Sequence, residues 1–167
     1  MFSSFTRTVA RAPALRLCLR FNSTVNKITA DSIVTKYSPS FTVRYTNEHE
    51  WIAQHDDGVA FVGITKYAAD ALGDATFVEL AEVGDALSTG DSMGSVESVK
   101  SSSEIYSPVN GEVLEVNTEL NDSPQLINED PMGAAWLAKI KTEGKLEDYD
   151  ELLTEDQYHE SLKDEEH

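Results

Sequence analysis

Between Lys66 and Lys139 the chain carries 14 acids and one cation, Lys100. That lysine lies in Val96-Glu-Ser-Val-Lys-Ser-Ser-Ser-Glu-Ile-Tyr106, with Ser98, Ser101, Ser102 and Ser103 close by and a β-rich run on either side. Two such runs around a small polar cluster predict a hairpin with the lysine at or beside its turn. An amine placed there is open to acylation: small neighbours leave it accessible, no second amine competes, and modification removes its ammonium charge. An ordinary surface lysine in a polar turn has the same features, so spacing and charge alone do not separate the two readings.

Other reactive patterns are weaker. Gly90-Asp-Ser-Met-Gly94 matches G-x-S-x-G, but a nucleophile elbow needs a strand, a sharp turn and then a helix. Here Ser92 runs on into Val96 and Val99, a strand-like stretch. His49, His55, His159 and His167 lack ligand spacing, and residue 53 is Ala where H-E-x-x-H after His49-Glu50 needs His. No metal site is expected. The one cysteine, Cys18, falls in the N-terminal stretch. Without that stretch the chain has no thiol, which excludes disulfides, thiolate zinc and a catalytic Cys. Sulfur redox chemistry would have to arrive with a cofactor.

The elements that must position Lys100 are short. Residues 41–45, 50–53, 59–64, 75–80, 92–99, 104–106, 112–116 and 136–140 are rich in β-branched and aromatic residues and predict strands. His55-Asp-Asp-Gly58 reads as a turn. Residues 65–72 predict one short helix, with Tyr67, Ala68, Ala71 and Leu72 on a common face and Gly73 as its stop. Asn110-Gly111 predicts a type I′ hairpin turn, which needs positive φ at both positions, and Pro108 marks a strand limit. Thr154-Glu-Asp-Gln157 predicts a capping box opening a C-terminal helix over 154–163. Many short strands with regular turns indicate one mainly β domain, a sandwich or small barrel with two or three accessory helices.

The N-terminus is different material. Arg7, Arg11, Arg16 and Arg20 occur among Phe2, Phe5, Val9, Leu15, Leu17 and Leu19, and the first acid is Asp31. A basic, Ser-containing, acid-free amphipathic stretch predicts a mitochondrial transit peptide over 1–22, cleaved near residues 21–24; a basic tail that binds nucleic acid is the other reading. Arginines interrupt every apolar run, so no span of about 18 apolar residues exists to cross a membrane. Leaving out residues 1–21 removes four of 13 cations and none of 30 acids, so the formal charge moves from −17 to −21. Such a surface repels nucleic acid and anionic lipid. It suits either plain solvation or steered encounter with basic patches on other proteins. Residues 23–167 are expected to form a single domain, monomeric on its own.

The lysine segment closely resembles the lipoylation segment of glycine cleavage H proteins, in which the lysine of Glu-Ser-Val-Lys carries lipoic acid. Further stretches follow that family in order: Glu48-His-Glu-Trp51, Val62-Gly-Ile-Thr65, Ala71-Leu-Gly-Asp74, Phe77-Val-Glu-Leu80, Ser107-Pro-Val, Asn110-Gly111, Leu126-Ile-Asn128, Asp130-Pro131 and Trp136. The resemblance spans about residues 41–162 and implies a lipoyl-lysine at Lys100 on a barrel-sandwich hybrid fold. It implies a carrier, not an enzyme, in the mitochondrial matrix. The carrier takes the aminomethyl group of glycine from a pyridoxal-phosphate glycine decarboxylase (P protein) to a tetrahydrofolate-dependent aminomethyltransferase (T protein). Dihydrolipoamide dehydrogenase (L protein) then reoxidises the dithiol, and a lipoylating enzyme attaches the cofactor in the first place.

By the same resemblance Glu50 and Glu104 would dock the cationic cargo. Glu48 stands where some relatives have Ser, Lys66 where many have Asp, and Ser101 where many have Ala. The same lysine would also suit a donor that relays lipoate to other enzymes. Lipoyl or biotinyl domains of other multienzyme complexes present their lysine in Asp-Lys-Ala or Met-Lys-Met and lack the extra helices.

Overall fold

The computed structural model describes residues 26–165. The proposed leader, residues 1–22, lies outside them. The described chain is mainly β, built from two antiparallel sheets with helices at their margins. Strands β1 (Phe41–Tyr45), β2 (Glu50–His55), β3 (Val59–Ile64), β5 (Ala86–Leu87), β8 (Gly111–Val116) and β9 (Ala138–Thr142) form one sheet in the order β1-β2-β3-β9-β8-β5. Strands β4 (Ala75–Leu80), β6 (Ser92–Ser98) and β7 (Ser102–Tyr106) form the other, in the order β4-β6-β7.

Neighbouring residues of β2 and β3 point into different cores, which explains why both strands are buried along almost their whole length. Ile52, Val62 and Ile64 join Val78, Val96, Ile105, Val113 and Ile140 in the main core. Trp51, Ala53 and Phe61 face the other way and pack with Tyr45, Trp136, Tyr158 and Leu162. Trp51 opposes Gly63 across the ladder. A Cβ at Gly63 would lie 2.8 Å from the indole ring, so only glycine leaves room for it. The indole N–H is satisfied by donating to the Pro131 carbonyl at 3.1 Å.

Five short α-helices and a 3-10 turn (Leu146–Asp148) are found among the described residues, more than the two or three expected: α1 (Ile33–Tyr37), α2 (Lys66–Leu72), α3 (Glu119–Asp122), α4 (Leu126–Glu129) and α5 (Glu155–Glu165). Helix α2 begins where the Thr65 hydroxyl accepts from Ala68 N–H, and it stops at Gly73, whose φ is +84°. The C-terminal helix has the expected capping box: Thr154 Oγ1 accepts from Gln157 N–H at 3.3 Å, and Gln157 Oε1 accepts from Thr154 N–H at 2.9 Å. Tyr158 and Leu162 of α5 are buried.

The hairpin expected at Asn110-Gly111 is absent. Strand β7 pairs with β6, while β8 pairs with β5 and β9, so residues 107–110 cross between the sheets. Asn110 instead uses its Oδ1 to accept from Thr89 N–H at 2.8 Å. Gly111 is required for close approach, since a Cβ there would meet the Lys141 carbonyl oxygen at 2.6 Å.

Candidate functional site

Lys100 occupies the turn between β6 and β7, as the two β-rich runs predict. Strand pairing runs to Glu97 opposite Ser102. Ser98 then closes the turn: its N–H donates to the Ser101 carbonyl at 2.7 Å, and its Oγ accepts from Ser101 N–H at 3.1 Å and Lys100 N–H at 3.3 Å. Short hydroxyl side chains thus take up the turn's backbone donors. Val99 at the tip is 75% exposed. Its N–H donates to the Asp74 carbonyl at 3.4 Å, tying the tip to the loop after α2.

That loop, read from the sequence as a helix stop and as one of the stretches shared with the resembled family, forms the bed of the lysine. A Cβ built on Gly73 would lie 2.8 Å from Lys100 Cε. Asn128 of α4 holds the loop in place, donating from Nδ2 to the Gly73 carbonyl at 2.7 Å and accepting from Ala75 N–H at 2.9 Å. Among the described residues Lys100 has no carboxylate within ion-pair distance, and neither have Lys36, Lys141 and Lys145, whereas Lys27, Lys66, Lys139 and Lys163 each have one.

Glu50 is the surprise of the site, for it is 2% exposed. Its Oε1 accepts from the Thr46 hydroxyl at 2.6 Å and its Oε2 accepts from Tyr106 N–H at 3.4 Å. Burial raises its carboxyl above the ordinary glutamate value, the two hydrogen bonds bring it part of the way back, and the nearby Glu48 carboxylate pushes it up again. A buried carboxylate with no cation beside it gains strongly from any ammonium that reaches it, because desolvation has already been borne. Glu104, in contrast, is exposed on β7, where its Oε1 accepts from Ser92 Oγ at 2.5 Å.

The two acids do not touch. They are linked through β7, since Glu104 lies two residues before the Tyr106 N–H that meets Glu50. A hollow of about 300 Å³ opens beside Glu104, bordered by Leu80, Glu82, Met93 and Ser95. Neither Lys100 nor Glu50 lines it. Among the described residues no cluster of His, Cys, Asp and Glu could hold a metal ion, and no helix is long and apolar enough to cross a membrane.

Lys100 thus stands as an exposed amine at a hairpin tip, resting on a glycine and without an ion pair among the described residues. The family model for the glycine cleavage H-protein matches residues 43–165. A mitochondrial glycine cleavage system H protein of Saccharomyces cerevisiae is 50% identical over 156 residues, covering 91% of this chain and 92% of its own length. A probable glycine cleavage system H protein of Pyrococcus horikoshii is 52% identical over 130 residues, covering 78% and 96%. The crystal structure of a glycine cleavage system H protein from Mycobacterium marinum aligns with a TM-score of 0.66 at 42% identity, covering 72% of this chain and 95% of that one. The chain belongs to the glycine cleavage H-protein family.

Proposed function

We propose that this chain is a non-enzymatic carrier whose lipoyl group is joined by an amide to Lys100 Nζ and that it serves glycine breakdown in the mitochondrial matrix. Two separate observations support this most directly: an exposed amine without an ion pair at the hairpin tip, and a buried carboxylate, Glu50, without a counter-ion. Amide formation cancels the ammonium charge, and at Lys100 no ion pair is lost by it among the described residues. The residues present therefore fit the group. When bound, lipoate supplies a disulfide–dithiol couple able to carry a one-carbon amine unit.

The protein's own residues supply position and shelter. The Ser98–Ser101 turn presents Nζ to an enzyme. Glu50, out of water and reached from β7, would hold the ammonium of the aminomethyl cargo where charge pairing is strongest. Glu104 would meet the same cation at the exposed side. The partners are the glycine decarboxylase, the aminomethyltransferase, dihydrolipoamide dehydrogenase and the lipoylating enzyme. The formal charge, −21 once residues 1–21 are left out, favours basic docking rims on them. The acid-free, arginine-rich N-terminus and the mitochondrial relative from Saccharomyces cerevisiae support the matrix location.

The test is intact mass of the protein purified from mitochondria, read beside a Lys100→Arg variant. The expected result is a lipoyl adduct on the native chain, none on the variant, and loss of glycine breakdown with it. An unacylated native chain, or an arginine variant that sustains glycine breakdown, would overturn the proposal.

A further inference from the structure

The turn that delivers Glu50 to the site carries an unusual backbone. His49 has φ +69°, the only non-glycine residue with positive φ among those described, a conformation that costs an L residue of this kind roughly 1 kcal/mol or more. It persists because its surroundings hold it. The His49 N–H donates to the Thr46 carbonyl at 3.1 Å, and its own carbonyl accepts from Thr65 N–H at 2.9 Å. Its ring lies 4.7 Å from that of Tyr67, and its Nδ1 is 3.0 Å from the hydroxyl of Tyr158, which reaches in from α5.

The consequence falls on Thr46 and Glu50. With the chain turned back in this way, Thr46 N–H donates to the Glu50 carbonyl at 3.0 Å, and Glu50 N–H donates to Thr46 Oγ1 at 3.0 Å. The same hydroxyl then has one proton left, and it donates this to Glu50 Oε1 at 2.6 Å. A single side chain therefore reads both the backbone and the carboxylate of Glu50. Oε1 is taken by Thr46, and Oε2, held only by the long contact to Tyr106 N–H, is left as the oxygen able to accept from a ligand.

We propose that Thr46 is a positioning residue for the carrier site, its hydroxyl fixing the orientation of the Glu50 carboxylate so that Oε2 is presented to the ammonium of the cargo. The inference rests on Glu50 being the dock, but one arm of its test does not. No residue other than Thr46 offers a hydroxyl to Glu50 among the described hydrogen bonds. Glutamate at 48 contributes only a repelling charge.

The experiment compares Thr46→Val, which keeps the shape and removes the hydroxyl, with Thr46→Ser, which restores it. In the unmodified protein the Glu50 carboxyl is followed by carbon NMR as pH is varied. The groups that face it are Thr46, the repelling carboxylate of Glu48, Tyr106 N–H and Tyr158. Valine should move the Glu50 midpoint upward by removing the stronger of its two donors, and serine should return it. In the lipoylated protein the lifetime of the carried aminomethyl group should fall by about tenfold with valine and recover with serine. A Glu50 midpoint unchanged by valine in the folded protein overturns the inference. Glu50→Gln separates the two ideas: if it leaves the lifetime unchanged the dock itself fails, whereas a shortened lifetime with glutamine and none with valine removes the role of Thr46 alone.

Discussion

The stem of Lys100 lies across Gly73, so closely that a Cβ on the glycine would come within 2.8 Å of the lysine Cε. The amine that the cofactor is proposed to occupy thus leaves the turn over the C-terminal end of α2, and the loop beneath it is held by Asn128.

Gly73 combines φ +84° with ψ −163°, a region open essentially to glycine alone. Replacing it with Ala should therefore lower stability by about 1–3 kcal/mol in denaturant titration, and Asn should do no better, because the left-handed helical tolerance of Asn does not extend to this ψ. The steric contact with Lys100 adds little, since the end of a flexible chain can swing away. A stability loss for Ala that Asn largely restores would show that the backbone strain has been misjudged.

Acid should weaken the protein through His55. The side chain is 3% exposed among Tyr37, Phe41 and Phe61, its Nδ1 lies 3.3 Å from the Ser40 carbonyl, and its Nε2 has no partner. Burial lowers its pKa below the ordinary 6.5, with the carbonyl and the charges of Asp57 and Asp56 offsetting only part of this. The unfolded chain then binds the proton first, so the contribution to stability is complete above pH 6.5 and is lost as pH falls below it. Denaturation midpoints should drop between neutral pH and pH 5, and His55→Phe should flatten that drop. An equal slope in the variant would exclude His55 as its source.

Much of this architecture was legible because its signals are local. The β-branched and aromatic runs, the 65–72 helix with Gly73 as its stop, and the Thr154–Gln157 box each act within a few residues, and each appears close to where it was expected. What escaped depends on distant partners. Asn110-Gly111 carries a strong hairpin signal, yet β7 and β8 belong to different sheets and Gly111 is needed against Lys141. The setting of Glu50 is equally long-range, since its carboxylate meets Tyr106 N–H of β7, and Thr46 showed no signal of its own. Lys100 stood out by charge isolation, while its proposed chemistry came from the resemblance.

Helix α5 should be coupled to the Glu50 turn through one hydroxyl. Tyr158 is fully buried, stacks on Tyr45 at 4.7 Å, and places its hydroxyl 2.7 Å from Thr65 Oγ1 and 3.0 Å from His49 Nδ1. Tyr158→Phe keeps the stack and leaves two polar atoms short of a partner. It should cost about 1–3 kcal/mol, and it should quicken hydrogen exchange at the His49 and Glu50 amides more than in the β6–β7 hairpin. Equal effects in both places would mean that α5 stabilises the domain without acting on this turn.

Asn26, the first of the described residues, is tied into the fold at two points. It is 5% exposed; its carbonyl accepts from the buried Tyr45 hydroxyl at 2.6 Å, and its Oδ1 accepts from Tyr67 N–H at 2.9 Å, in the first turn of α2. Burial holds the Tyr45 hydroxyl well above the ordinary tyrosine value, so it remains a donor throughout the accessible pH range and needs that acceptor. If a leader is removed as proposed, the cut is expected to fall before Asn26, so that both acceptors are kept. A chain beginning at Ser23 should match longer forms in stability, whereas one beginning at Ala30 should lose about 1–3 kcal/mol from the orphaned hydroxyl alone. N-terminal mass of the organelle-derived protein and denaturation of the two truncations check this together; a native terminus beyond Asn26 with stability intact would rule it out.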